Sequence, residues 1–391
     1  MERREFEEHL TNDLIPFWKD LKDEQYGGFY GHMDKDLKVD KHADKGVILN
    51  SRILWFFSAS YSLLKDEDLL IPARHAYEFL RKHCYDKSRG GVYWALTYDG
   101  KPVDTTKHTY NQAFAIYALS EYYMASSDAD SLALAYELFD LIEHRCRDKD
   151  GYLEAFSVDF TPDDNNEKLS ENGVIAERTM NTLLHVLEAY SNLYKADNSQ
   201  EVADRLKEIA DIFSEKVFDT KRGRLKVFFD LDYNSLIDLY SYGHDIEASW
   251  LLDRAAEVLD DPEYTRKIHL ISDVLADEVH RHAYSKSERA LYNECENGTD
   301  DRKKVWWVQA ESVVGFRNAF EKHPDRTDYE EASEEIFSFI LDKMIDLRCG
   351  EWYENILEDG TKDLGRGIVH QWKCPYHNGR MCIEMCRRLK S

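Results

Sequence analysis

Two kinds of helical pattern alternate along the chain. In one, apolar residues form a single stripe that ends among basic residues, as in YEFLRKHCYDKSR (77–89), LFDLIEHRCRDKD (138–150), IADIFSEKVFDTKR (209–222) and IFSFILDKMIDLRC (336–349). In the other, apolar residues occupy more than one face: VILNSRILWFFSASYSLL (47–64), YNQAFAIYALSEYY (110–123), MNTLLHVLEAYSNLY (180–194), HDIEASWLLDRAAEVL (244–259), WWVQAESVVGFRNAF (306–320) and HNGRMCIEMCRRL (377–389). A helix apolar all round belongs in a core, and a one-sided helix belongs outside it. Between them a glycine-plus-aromatic turn recurs at Gly27, Gly90, Gly151, Gly223, Ala290 and Gly350, with separations of 60 to 72 residues. Such stretches make a tight turn and one or two short strands.

A repeat of this period sets the fold before any other signal. Six pairs of inner and outer helices predict an all-α (α/α)6 barrel, a toroid of six helix hairpins with short β-turn strands. An open helical solenoid is the rival, but no end repeat reads as a dedicated polar cap. No linker divides the chain, so residues 1–391 are read as a single domain. The main departure from the repeat is the polar insertion 160–167, read as a loop over one end of the barrel.

Inner helices that run parallel start at one end, so residues near their starts can converge. These are Arg52; Tyr110, Asn111 and Gln112; Asn181 and His185; His244 and Glu247; Trp306, Trp307, Gln309 and Glu311; and Trp372, His377 and Arg380. Each alone has a structural explanation, such as a cap, an ion pair or core packing. Six helix starts rich in polar and aromatic groups, in helices otherwise apolar, point to a shared site. The stretch Ser241–Trp250 carries the sharpest signal. His244 and Glu247 share a helix face at i, i+3, and a neighbouring carboxylate is expected to bring the imidazole pKa near neutrality. Tyr242 and Trp250 add flat surface of the kind a sugar ring packs on.

The formal charge of −25 disfavours nucleic acid and anionic membranes as partners. Seven cysteines with no CxxC pair argue against a disulfide framework or a zinc site and for a reducing cytoplasm. The start MERREFEEHL lacks a secretory apolar region, and no membrane-spanning run is read. The candidate residues show no HxH or HExxH spacing, and GxSxG, Walker and dinucleotide motifs are absent from the chain, so no metal and no cofactor are expected. What remains is proton transfer on a neutral sugar. Two histidines suit isomerisation or epimerisation through an enediolate, with Arg52 and a third histidine on the oxyanion. A glycoside hydrolase needs two acids as its central pair.

RILWFFSASY (52–61), MNTLLHVLEAYSNLY (180–194), SYGHDIEASWLL (241–252), WWVQAESVVGF (306–316), GEWYENILEDG (350–360) and WKCPYHNGRMCIEM (372–385) resemble the N-acylglucosamine 2-epimerase superfamily, and within it the cellobiose 2-epimerases. The resemblance spans essentially the whole chain and implies an (α/α)6 barrel. It also implies cofactor-free inversion at C2 of the reducing-end glucose of β-1,4-linked disaccharides, cellobiose to glucosyl-mannose and lactose to epilactose. By the same resemblance His244 and His377 match the acid/base pair and His185 the third histidine. Arg52, Tyr110, Asn181 and Glu247 match positions that hold the sugar, and Trp306, Trp307 and Trp372 those that stack on it. The family commonly has Asn-Thr-His-Leu-His where this chain has Asn181-Thr-Leu183-Leu-His185. The partner expected is a small disaccharide, and the chain a monomer or weak homo-oligomer. Alternatives are a mannobiose 2-epimerase or a monosaccharide isomerase or epimerase of the same superfamily, then a glycoside hydrolase or a non-catalytic sugar-binding protein.

Overall fold

A computed structural model of the chain describes residues 1–163, 167–170 and 172–390. Among these, twelve helices alternate between an outer and an inner ring: α1 (3–20) and α2 (Val47–Leu64), α3 (70–84) and α4 (Thr109–Ser126), α5 (Ala129–Arg145) and α6 (Met180–Asp197), α7 (200–217) and α8 (Tyr242–Leu259), α9 (Pro262–His282) and α10 (Trp306–Lys322), α11 (327–344) and α12 (His377–Arg388). Even-numbered helices are inner. Burial follows the sequence pattern. In the first part of α7, Val202, Ala203, Leu206, Ile209 and Ala210 form one buried stripe, whereas α2 is buried along nearly its whole length. The helix α2 is long and apolar enough to cross a membrane, contrary to the sequence reading. However, 78% of it is buried inside the protein, so it is a core helix.

The barrel is a closed (α/α)6 ring: α12 packs on both α10 and α2. Six short antiparallel contacts stitch neighbouring repeats together around one end. They pair 45–46 with 95–96, 107–108 with 155–156, 178–179 with 228–229, 239–241 with 294–296, and 304–305 with 355–356. The sixth, Met33 with Val369, joins the last repeat to the first. An open solenoid has no such seam. Each inner helix starts at or just past one of these contacts, so all six inner N-termini share that end.

Two buried locks hold the helix starts. The first joins a cation just before the inner helix to the turn after the outer one. Lys45 Nζ donates to Asp23 Oδ2 at 2.6 Å and Gly27 O at 2.7 Å, and Lys107 Nζ to Asp86 Oδ2 at 3.1 Å and Gly90 O at 2.9 Å. Arg178 pairs with Asp148, Lys304 with Glu288, and Lys373 with Glu351. The turn itself needs a left-handed residue. Glycine supplies it at Gly27 and Gly90 (both φ +80°), and Arg289 takes φ +57° in the fifth repeat, where the sequence has no glycine. The second lock lies one turn into the helix. Gln112 exchanges hydrogen bonds with the backbone of Val92 at 2.6 and 2.9 Å, and Gln309 with that of Leu291 at 2.9 and 2.8 Å.

The return from inner to outer helix was not anticipated. Inner helices end on left-handed Lys65, Ser127, Asn198 and Asp260, and the next residue caps or precedes the outer helix. Asp128 and Asp261 accept amides of the following first turn, as N-cap aspartates do.

The first lock sets a stability test. Asp86→Ala leaves the fully buried Lys107 ammonium without its carboxylate and is expected to cost about 3–5 kcal/mol, read from the urea unfolding midpoint. Removing the exposed Lys101–Asp99 pair should leave that midpoint in place.

Candidate active site

The inner N-termini surround a cavity of about 230 Å³. All ten residues that the family resemblance implies for the site line it: Arg52, Tyr110, Asn181, His185, His244, Glu247, Trp306, Trp307, Trp372 and His377. Each sits on the first turns of an inner helix except Trp372, which lies in the segment leading into α12.

The three histidines face the cavity with their Nδ1 atoms engaged behind them. His377 Nδ1 lies 2.7 Å from Glu311 Oε1, His185 Nδ1 2.9 Å from Glu188 Oε2, and His244 Nδ1 2.7 Å from the Ser241 hydroxyl. Indoles separate them: Trp307 lies 4.7 Å from the His244 ring and 5.6 Å from the His377 ring, centroid to centroid. Next to His185, whose ring lies 5.0 Å from that of Tyr110, the Arg52 guanidinium donates to Tyr110 Oη at 2.7 Å, between the rings of Phe114 (4.2 Å) and Tyr376 (4.6 Å). Trp372 stands near both Trp94 (5.7 Å) and Tyr110 (6.1 Å), forming an aromatic wall.

Beneath the histidines lies Arg380, from α12. Its guanidinium bonds Glu188 and Glu247, lies 2.7 Å from Glu311, and stacks on Trp250 and Tyr376. Burial alone would raise Glu188, but Arg380 and the hydrogen bonds from His185 and Tyr376 hold its carboxyl down at about 2. Glu311 is raised by burial against that same cation. Oxygen and nitrogen atoms of Glu247, Glu311 and His377 come close enough together to hold a cation, and the guanidinium already supplies positive charge to both carboxylates.

One expectation fails. Glu247 bonds Arg380 rather than His244 and is not among the causes of the shift at His244. The strongest charge nearby is Arg380, and the carboxylate turns to it. The His244 imidazole is not brought near neutrality either: burial pushes it down to about 3, aided by the charge of His185. Burial, then the charges of Arg52 and Arg380, hold His377 well below the ordinary histidine range. Both imidazoles are therefore neutral in the empty cavity. Glu247 is pushed up to about 7 by burial and by Glu311, with Arg380 opposing.

Other candidates belong to the frame. Gln112 and Gln309 form the second lock described above, and Asn111 donates to Tyr93 O at 2.6 Å. Tyr242 donates to Asp300 and lies outside the cavity, while Trp250 sits beneath it, donating to Glu311 at 3.1 Å. Leu183, where the family has histidine, is buried and does not line the cavity. Of the insertion, residues 164–166 fall outside the described residues. Its continuation contributes Lys168, Ser170 and Asn172 to the cavity wall. The outer rim adds Glu294 from the strand 294–296, and Arg366 and His370 from a loop; none of these segments carries helical periodicity. Among the described residues, Arg52 Nε, Asn181 Oδ1, Glu247 Oε2 and Trp306 Nε1 are buried without a hydrogen-bond partner. Buried polar atoms are rarely left so, and these four belong to residues that line the cavity.

Residues 28–377 match the N-acylglucosamine 2-epimerase (GlcNAc 2-epimerase) family. The chain is 51% identical to the cellobiose 2-epimerase of Eubacterium cellulosolvens, over 97% of this chain and 96% of that one. It is 48% identical to the cellobiose 2-epimerase of Ruminococcus albus, covering 98% of each. Its fold superposes on the crystal structure of a sugar epimerase from a ruminal bacterium with a TM-score of 0.97, at 46% identity and over 100% of both chains.

The raised carboxyl of Glu247 gives a pH test. Between the ordinary carboxylate range and about 7 the folded chain holds a proton there that the unfolded chain releases. Its stabilising contribution is therefore complete at low pH and lost as pH rises through about 7. Tm of Glu247→Gln, minus that of the parent, should rise from pH about 5 to about 8. A difference that stays flat would mean that Glu247 titrates normally.

Proposed function

The chain belongs to the N-acylglucosamine 2-epimerase family, and on that premise we propose that it is a cellobiose 2-epimerase. It inverts C2 of the reducing-end glucose of β-1,4-linked disaccharides, turning cellobiose into glucosyl-mannose and lactose into epilactose. The observation that carries this reading is the meeting of His185, His244 and His377 with Arg52 in one cavity.

His377 moves a proton between O1 and O5 to open the pyranose, then takes the C2 proton of the open aldose. Its Nδ1 is engaged by Glu311, so Nε2 is the nitrogen left for substrate. Arg52, with His185 and Asn181, stabilises the enediolate oxygens, as preorganised donors do for developing charge. Rotation about C2–C3 presents the other face, and His244 delivers a proton there. His244 enters this step as the imidazolium, its Nε2 proton taken from solvent, and leaves it neutral, while His377 becomes the imidazolium; exchange with solvent resets both rings, and their roles exchange in the reverse direction. A buried neutral imidazole is a poor acid in the empty site. The enediolate charge, once formed between the rings, favours the imidazolium. Glu247 Oε2 and Trp306 Nε1, both without protein partners, receive sugar hydroxyls. Trp307 and Trp372 stack on the sugar faces.

The whole chain serves as one catalytic domain, because the seam between Met33 and Val369 brings the first and last repeats together. The enzyme works in the cytoplasm as a monomer or weak homo-oligomer, and its seven free cysteines suit a reducing compartment.

His244→Ala and His377→Ala are each expected to lower turnover on cellobiose by roughly 10²–10⁴-fold. Near-full turnover in either would overturn the acid/base pairing. In D2O, deuterium should appear at C2 of the product, and none would point to oxidation and reduction instead. Product NMR after incubation with cellobiose, lactose, mannobiose and mannose tests the substrate. Activity on mannose without activity on cellobiose would move the assignment to a monosaccharide enzyme.

A further inference from the structure

Ser241 is the N-cap residue of α8, yet its side chain caps nothing. At the equivalent place in α6, Thr179 accepts the Thr182 amide at 3.0 Å. Serine is among the preferred N-cap residues. Here the hydroxyl turns instead to His244 Nδ1 at 2.7 Å. The strand Leu239–Ser241, paired antiparallel with Glu294–Glu296, fixes where that hydroxyl stands.

The other two histidines show what such a contact does. Glu311 and Glu188 are carboxylates that only accept, so His377 and His185 keep a proton on Nδ1 and leave Nε2 for the cavity. Arg380 joins both carboxylates, whereas His244 stands apart from that ionic group and has Ser241 in the corresponding place. Without a fixed partner a neutral imidazole distributes its proton over both nitrogens, and only the Nδ1–H form presents a lone pair at Nε2.

We propose that Ser241 is the positioning residue of His244: its hydroxyl accepts the Nδ1–H and so holds Nε2 bare toward the cavity, in the role that Glu311 has for His377. This rests on the epimerase reading for its catalytic meaning. In the reverse direction of that reaction, His244 Nε2 takes the C2 proton, giving an imidazolium whose Nδ1–H still donates to Ser241. In the forward direction the same ion gives up its Nε2 proton, with no change at Ser241.

The test compares Ser241→Ala and Ser241→Thr with the parent enzyme, by 15N NMR of the histidine rings and by kinetics on cellobiose. In the parent, His244 should appear as the Nδ1–H tautomer. Ser241→Ala should lose that tautomer and lower kcat by on the order of 10–100-fold, with KM nearly unchanged. Tm should hold, because no helix cap is lost, and Ser241→Thr should restore both tautomer and kcat. An Nε2–H tautomer in the parent would overturn the proposal. So would a Ser241→Ala variant that lowers Tm but keeps kcat, which is the signature of an ordinary cap. The NMR readout needs no turnover, so a parent enzyme inactive on cellobiose would sink the epimerase reading while leaving the positioning role to be judged from the spectra.

Discussion

Three carboxylates share a dry space at the centre of the ring, and one guanidinium makes that arrangement tolerable. Arg380 is 1% exposed and touches Glu188, Glu247 and Glu311 together. A buried carboxylate without a partner is strongly unfavourable, whereas a planar guanidinium can satisfy several at once. Two of those carboxylates in turn hold Nδ1 of His185 and His377. The orientation of two site histidines thus depends on a cation that itself has no place in the cavity lining. Lysine, a point charge, would not span the same set.

Around this centre the fold repeats one solution at each repeat. A turn follows each outer helix, and in five of the six repeats a buried cation just before the next inner helix ties that turn to the helix start. The fourth repeat breaks the rule, with Tyr240 in the corresponding position and its hydroxyl unpartnered. That same repeat carries Ser241 and His244. The exception therefore falls beside the one histidine that lacks a carboxylate partner.

Much of this was legible in the sequence because periodicity reports burial directly. The span 47–64 was read as a helix and is α2 residue for residue, and nine of the ten residues implied by the family resemblance fall on helix starts that a closed ring must bring together, Trp372 standing just before α12. Partners were less legible. Spacing places His244 and Glu247 on one face, but it carries no information about the residue across the ring, and Arg380 outcompetes a histidine for a carboxylate. Gln112 and Gln309 were misplaced for a related reason. An amide one turn into a helix reads the same whether it faces a ligand or a neighbouring backbone. The rim residues Arg366 and His370 lie in loops, where no period marks which side chains turn inward.

The seam between Met33 and Val369 has a kinetic corollary. Helix hairpins form from contacts close in sequence and should appear early in refolding, whereas the seam joins positions at opposite ends of the fold and forms late, after the loop-closure entropy of nearly the whole chain has been overcome. The helix α12, which brings His377 and Arg380, meets α2 at that step, so helical signal should return well before competence does. An ensemble with native helix content and an unclosed ring would be spectroscopically folded and chemically inert.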